Sequence, residues 1–314
     1  MEGTAAAGTP AASMERMKIG LMLPLGAGES GGWNNLRELA MTADRDGLDS
    51  VWGADHLVFR DEQGAHHGIH EAWTVLTAVA AVTERVEIGP LVLAVPFRNP
   101  ALTAKMAAEL DRVSNGRLIL GIGCGWHEPE FDAFGYPFDH RVGRFEEAVE
   151  ILVPLLRGNT VTLEGRWHQA QDARLLPEPV RPDMPILIAG KQPRMLSLVA
   201  RHADAWNAAW YGDPADAGEL RTRLANLRAA LDEAGRDPAT LELTAGIFVS
   251  TADDEDAPEA AIRGSTNEIA DALARYAELG VSHLIAHTWP RTPDSVARLA
   301  EAAAKARDLV PVAG

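Results

Sequence analysis

A single cysteine, Cys124, stands among 314 residues. That excludes an intrachain disulfide, a paired-cysteine redox motif and any metal site built on several thiolates. No apolar run approaches the roughly 20 residues needed to span a bilayer. The opening segment lacks a basic stretch followed by an apolar one, so no secretory signal is read there. Rich in Ala, Gly, Thr and Pro, residues 1–16 have little to bury and are read as a disordered tail, with residues 17–314 as a single domain. Basic residues are outnumbered: 29 Lys and Arg face 45 Asp and Glu, a net charge of −16. Nucleic-acid affinity rests on clustered bases, so this charge argues against a nucleic-acid partner, and an anionic ligand must be held by local bases or backbone N–H groups. Also missing are the Gly-x-Ser-x-Gly elbow, the phosphate-binding Walker loop and the His-Glu-x-x-His zinc motif. The expectation is a cytoplasmic protein with neither a membrane nor a nucleic acid as partner.

What is present is a rhythm. Apolar residues make up 46% of the chain, and from residue 17 short β-type runs alternate with helical patterns. Strands are expected at 18–24, 49–53, 86–93, 117–123, 185–190, 204–207, 241–248 and 283–287. The first helix places Leu36, Leu39, Ala40 and Ala43 on one face, the second Trp73, Leu76, Val79 and Ala80. The third begins near Pro100 and carries Leu102, Met106, Leu110 and Val113; the fourth carries Phe145, Val149, Leu152 and Leu156. Residues 158–185 break the rhythm with prolines and an alternation of Val161, Leu163 and Trp167, which reads as a hairpin-like insertion. Eight strand–helix units are the number at which parallel strands close on themselves, so the expected fold is an α/β, (β/α)8 TIM barrel.

In such barrels chemistry sits at the carboxyl ends of the strands. Strand two ends in Asp55-His56, where His56 either handles a proton near neutral pH or is an exposed loop histidine. Strand four ends in Gly121-Ile122-Gly123-Cys124-Gly125-Trp126-His127-Glu128. Closely spaced glycines admit a flat ring or a phosphate, or simply form a tight barrel corner. Cys124 reads as a small hydrophobe rather than a nucleophile. Strand five runs through Gly190-Lys191-Gln192 into a helix, where N–H groups with Lys191 and Arg194 form either a reasonable anion site or simply an N-terminal helix turn with two solvated bases. Strand three leads to the Pro-bounded turn Pro96-Phe97-Arg98-Asn99-Pro100, where Arg98 serves either a ligand or merely a carboxylate. His66, His67 and His70 lie in a polar loop without a carboxylate set, so no metal site is read there. Many of the tryptophans fall near inferred strand ends, where most are expected to be core or cavity wall; Trp33, Trp73, Trp126 and Trp289 suggest an apolar or aromatic substrate pocket.

Several blocks together carry a resemblance: Asp55-His56-Leu57, Arg98-Asn99-Pro100, Ser114-Asn115-Gly116-Arg117, the run from Gly121 to Phe131, Phe134-Gly135-Tyr136-Pro137, Arg144-Phe145-Glu146-Glu147 and Ala200 to Asn207. In order and spacing the chain resembles the luciferase-like flavin-dependent oxidoreductases, and within them the branch using coenzyme F420, a deazaflavin. The resemblance implies a barrel mouth holding the tricyclic ring, with the phosphate at the strand-five turn. It places Asp55 and His56 at ring and substrate, Leu91-Val92 behind the ring at a non-proline cis bond, Cys124 and Gly125 against the cofactor, and Gly190, Lys191 and Gln192 around the phosphate. The expected reaction is hydride transfer to or from a small organic substrate, with His56 as proton handler and Asp55 as its orienter or as a ring contact. Arg98, Lys191 and Arg194 are the bases available to a charged cofactor tail. Relatives also form homodimers through outer helices. The alternative cofactor is FMN in an oxygen-using monooxygenase; a methyltransferase built on the glycine loop is the remote alternative.

Overall fold

The computed structural model describes residues 16–310 other than Ser30 and Glu62. Residues 1–15 of the expected tail lie outside the described residues. Eight parallel strands form the centre: β1 (Lys18–Met22), β2 (Ser50–Gly53), β3 in two pieces (Glu87–Pro90 and Leu93–Ala94), β4 (Leu120–Gly123), β5 (Ile186–Ala189), β6 (Ala205–Tyr211), β7 (Glu242–Ser250) and β8 (His283–Trp289). They run in the order β3–β2–β1–β8–β7–β6–β5–β4. The ring closes through β3 itself. Its first piece pairs with β2, from Ser50 opposite Glu87 to Gly53 opposite Pro90. The chain then passes the cis peptide Leu91–Val92, and the second piece pairs with β4, Leu93 opposite Ile122. The closed parallel barrel expected from eight units is therefore what the chain forms.

Strand alternation sorts the side chains into two layers. Leu284 and Ala286 of β8, with Ala245, Ile247 and Val249 of β7, face the surrounding helices and join the main core. Met22, Trp52, Ile119, Leu187, Ala205 and Ile285 fill the barrel interior, with Leu91 and the half-buried Ala54, Val92 and Trp210 above them. Room for such bulky residues comes from glycines on neighbouring strands. A Cβ on Gly89 would lie 2.7 Å from the Trp52 ring, and one on Gly246 would lie 2.4 Å from the Trp210 ring. At the amino end the barrel is closed by a polar plug. Trp52 Nε1 donates to Ser50 Oγ (2.7 Å), Ser50 Oγ and His283 Nε2 are hydrogen-bonded at 2.7 Å, and Glu242 lies 3.6 Å from His283 Nδ1. The open end is the carboxyl rim.

The outer layer is α1 (Gly32–Asp46), α2 (Ala72–Val82), α3 (Pro100–Val113), α4 (Glu128–Phe134), α5 (Arg141–Leu156), α6 (Pro193–His202), α7 (Gly218–Glu233), α8 (Thr266–Glu278) and α9 (Pro293–Leu309). Local signals start several of them: Asn99 accepts from the N–H groups of Ala101 and Leu102 ahead of Pro100, and Ser265 with Glu268 forms a capping box on α8. On α3 the buried face differs from the expected one. Leu102 and Val113 are 53% and 51% exposed, and the helix instead buries Thr103, Ala104, Ala107, Ala108, Leu110 and Asp111. Close packing of α3 against α5 favours small side chains, and Asp111 is drawn inward by Arg181 at 2.7 Å. Two antiparallel hairpins interrupt the units. One, Val161–Glu164 with Gln169–Ala173, stands between α5 and β5. The other, Val58–Arg60 with His66–Gly68, occupies the stretch read from sequence as a polar loop. Its turn is tied by Asp61, whose backbone carbonyl and side chain accept from Gly64 and Ala65. No helix among the described residues is long and apolar enough to cross a membrane.

Candidate functional site

At the rim of β2 the two flagged residues have separate partners. Asp55 is buried, and its carboxylate receives both arms of the Arg98 guanidinium at 2.7 and 2.9 Å together with the Ala94 N–H at 2.8 Å. Arg98 also reaches Glu71 at 3.0 Å, the residue that caps α2 through the N–H groups of Trp73 and Thr74. Burial works against the Arg98 charge, but the two carboxylates outweigh it and hold the guanidinium firmly protonated. Asp55 is thus a tie between the ends of β2 and β3, and it does not orient His56.

That orienter is Glu130, which sequence reading missed. Its carboxyl, 1% exposed, accepts from His56 Nδ1 at 2.9 Å and from the Leu57 N–H at 2.9 Å. A carboxylate on Nδ1 fixes the proton there and leaves Nε2 as the nitrogen that takes or gives a proton. Glu130 sits in the first turn of α4, directly after the glycine-rich end of β4, and α4 delivers it to the β2 loop 74 residues back along the chain. Aromatic rings surround the imidazole: Phe59 at 4.2 Å and Trp126 at 5.6 Å between centroids. His127 Nε2 accepts from the Arg60 N–H at 3.1 Å, which places the His127 proton on Nδ1 and pins the β2 hairpin to the β4 loop. A cavity of about 470 Å³ lies here, lined by Phe59, Arg60, His67, Trp126 and His127.

At the end of β4, Cys124 is half-buried and burial pushes its thiol up, the reverse of an activated nucleophile. Gly125 has φ +74°, and a Cβ there would lie 2.5 Å from the Phe131 ring. A Cβ on Gly190 would lie 2.6 Å from Met195. Lys191 and Gln192 are exposed and border a cavity of about 600 Å³ between α6 and α7. The N-cap position of α6 is Gln192, whose side chain makes no capping bond, so the N–H groups of its first turn remain available to an acceptor. Arg194 is less available than its sequence position suggests, because it binds Glu146 at 2.6 Å, as does Arg201 at 2.8 Å. Of the three bases read as free for a charged tail, Arg98 and Arg194 are thus committed to carboxylates.

The four flagged tryptophans have different surroundings. Trp126 is 65% exposed beside His56, and Trp33 is partly exposed in the first turn of α1. Trp73 is packed in the main core. Trp289 is buried with Phe248, Ala257 and Ala261.

The family profile described as luciferase-like monooxygenase matches residues 17–263. The F420-dependent glucose-6-phosphate dehydrogenase of Amycolatopsis mediterranei (strain U-32) is 35% identical over 182 residues, covering 57% of this chain and 54% of that protein. The phthiodiolone/phenolphthiodiolone dimycocerosates ketoreductase of Mycobacterium kansasii is 34% identical over 245 residues, covering 72% of this chain and 66% of that protein. The match therefore spans between about half and two thirds of these curated relatives. Among solved structures, an F420-dependent secondary alcohol dehydrogenase in complex with an F420-acetone adduct superposes with a TM-score of 0.76 at 20% identity, covering 93% of this chain and 99% of that one.

Proposed function

This chain belongs to the luciferase-like monooxygenase family, and from that premise we propose that it is a coenzyme F420-dependent oxidoreductase acting on a small organic substrate with an apolar or aromatic surface. Curated relatives that use F420 by name support the cofactor. So does the lining of the mouth: Ala54, Leu91 and Val92 form an apolar floor left partly uncovered above the filled interior, which suits the face of a flat ring. Gly123 of β4 adjoins that floor, since a Cβ there would lie 2.8 Å from Val92, and Cys124 and Gly125 follow it as the residues set against the cofactor in this reading. Gly190, Lys191 and Gln192, with the uncapped first turn of α6, offer N–H groups and one cation to a phosphate. When bound, the deazaflavin supplies or takes up a hydride at a ring carbon.

Everything else in the reaction falls to the chain. His56 Nε2 gives a proton to the substrate atom left with excess electron density, or takes it in the reverse direction, so that hydride and proton together make a two-electron change. Glu130 holds the imidazole in one tautomer and stabilises the imidazolium that forms in the reverse direction. Arg98, Asp55 and the Ala94 N–H hold the end of β3 in place, and Phe59 with Trp126 shields the His56 ring from water. The observation that carries this reading is the His56–Glu130 pair at the barrel mouth. Titrating the purified protein with F420 and separately with FMN, followed by fluorescence, tests it. Saturable uptake of F420 in preference to FMN is expected. Preference for FMN favours the monooxygenase reading, and uptake of neither overturns the assignment.

A further inference from the structure

The carboxyl ends of β6, β7 and β8 carry a second group of rings, apart from His56 and its neighbours. Trp210 and Phe248 stack at 5.6 Å with 18° between planes. Phe248 and His287 lie at 6.2 Å and 22°, and Trp210 and His287 at 4.7 Å. All three are half-buried. Alternation places them on the inward side: Ile285, two residues before His287, fills the barrel interior, while Ile247 and Val249 on either side of Phe248 join the outer core. Trp210 reaches this position by a local device. The β6–β7 register shifts between Asn207 and Trp210, Ala209 takes φ +76°, and Asn207 Oδ1 accepts from the Ala209 N–H at 2.8 Å. Gly246 leaves the space that the Trp210 ring fills. A bulge that aims a large ring at a barrel mouth is a common feature beside binding sites.

We propose that this wall, formed by Trp210, Phe248, His287 and Trp289, seats an uncharged, flat, conjugated ring carrying a carbonyl or ring-nitrogen acceptor, a chemistry typified by quinones. The inference rests on the oxidoreductase reading for the ring's role as substrate. Near-parallel partly exposed rings are a stacking surface. Burial, reinforced by Arg291, pushes His287 down to about 3, so its imidazole offers donor and acceptor atoms without charge. Trp289, two residues nearer the rim than His287, which pairs with Phe248, has its ring 5.9 Å from that of Phe248 and a buried Nε1 with no hydrogen-bond partner among the described residues. A buried donor left unpaired is costly, and a ligand carbonyl would satisfy it. Arg291 covers the Trp289 ring at 4.9 Å, but Glu29 answers its charge at 3.1 Å. The wall therefore suits a neutral ring better than a sugar phosphate.

The probe is 2-methyl-1,4-naphthoquinone, measured by calorimetric titration against the full chain, with glucose 6-phosphate as the charged comparison and F420 titrated separately. Saturable quinone binding is expected, weakened about three- to tenfold by Trp210→Leu and by Phe248→Ala through lost stacking, and about two- to tenfold by Trp289→Phe, which keeps a ring and removes the N–H. F420 affinity should stay the same in all three, and circular dichroism should show the same fold in the conservative Trp289→Phe. Quinone binding that the variants leave unchanged overturns the proposal, as does binding of the sugar phosphate in its place. If quinone binding follows the expected pattern and F420 is not taken up, the wall stands and the cofactor reading fails. If F420 binds and the quinone does not, the cofactor reading stands and the wall fails.

Discussion

Replacing Arg98 with methionine removes two short bonds to a carboxylate that water barely reaches. Asp55 then keeps a single donor, the Ala94 N–H, against three in the native protein. Breaking a buried pair from one side typically costs about 3–5 kcal/mol, because the remaining charge stays buried without its partner. At roughly 2–4 °C per kcal/mol for a domain of this order of size, Arg98→Met should unfold at least about 6 °C below the native protein. Asp55→Asn should be milder, since the amide oxygen still accepts from Ala94 and Arg98 still has Glu71. The double variant should lose less than the two single losses combined, by about 2 kcal/mol, since neither partner is then left alone. Urea unfolding followed by tryptophan fluorescence, with thermal melts by circular dichroism, reads all three. A single Arg98→Met variant within about 1 kcal/mol of native, or simple additivity in the double, would show that this pair does not tie β2 to β3.

Glu130→Gln should leave F420 affinity unchanged and lower turnover about 10²–10⁴-fold, the usual contribution of an oriented proton-transfer group; unchanged turnover would remove Glu130 from the mechanism. His287 should show one protonated ring nitrogen by NMR from pH 8 down to pH 5. Its folded-state value lies far below that of the unfolded chain, so the unfolded state binds the extra proton and His287 lowers stability as pH falls below about 6.5. His287→Phe should flatten that part of the stability–pH curve, and an unaltered slope would contradict the burial argument. Gly121→Ala places a Cβ 2.1 Å from the Pro90 carbonyl oxygen, a backbone atom with no room to yield, and should destabilise by about 1–3 kcal/mol or more, read by urea unfolding.

Much of the fold was legible because alternation and 3.6-residue periodicity report burial directly. The eight strands and the inner faces of α1, α2 and α5 follow from those patterns. On α3 the pattern misled, since Leu102 and Val113 are larger and more apolar than the alanines the helix buries, and hydrophobicity alone does not reveal which face a neighbouring helix approaches closely. The hairpin after β2 was hidden by short strands of mixed polarity, whose turn depends on the backbone and side chain of Asp61 together. Within the site, Asp55 and His56 were readable from their place after a strand. Their partners were not: Arg98 and Glu130 lie 43 and 74 residues away, and only barrel closure brings them in. Arg194 looked free in sequence because charge pairing across α5 and α6 leaves no local pattern.

The most direct test of the account is a crystal structure of the protein soaked with F420. The account predicts the deazaflavin ring on the floor formed by Ala54, Leu91 and Val92, its phosphate at Lys191 and the start of α6, and His56 beside the reacting ring carbon. A ring bound elsewhere, or one separated from His56 by the breadth of the barrel, would contradict it.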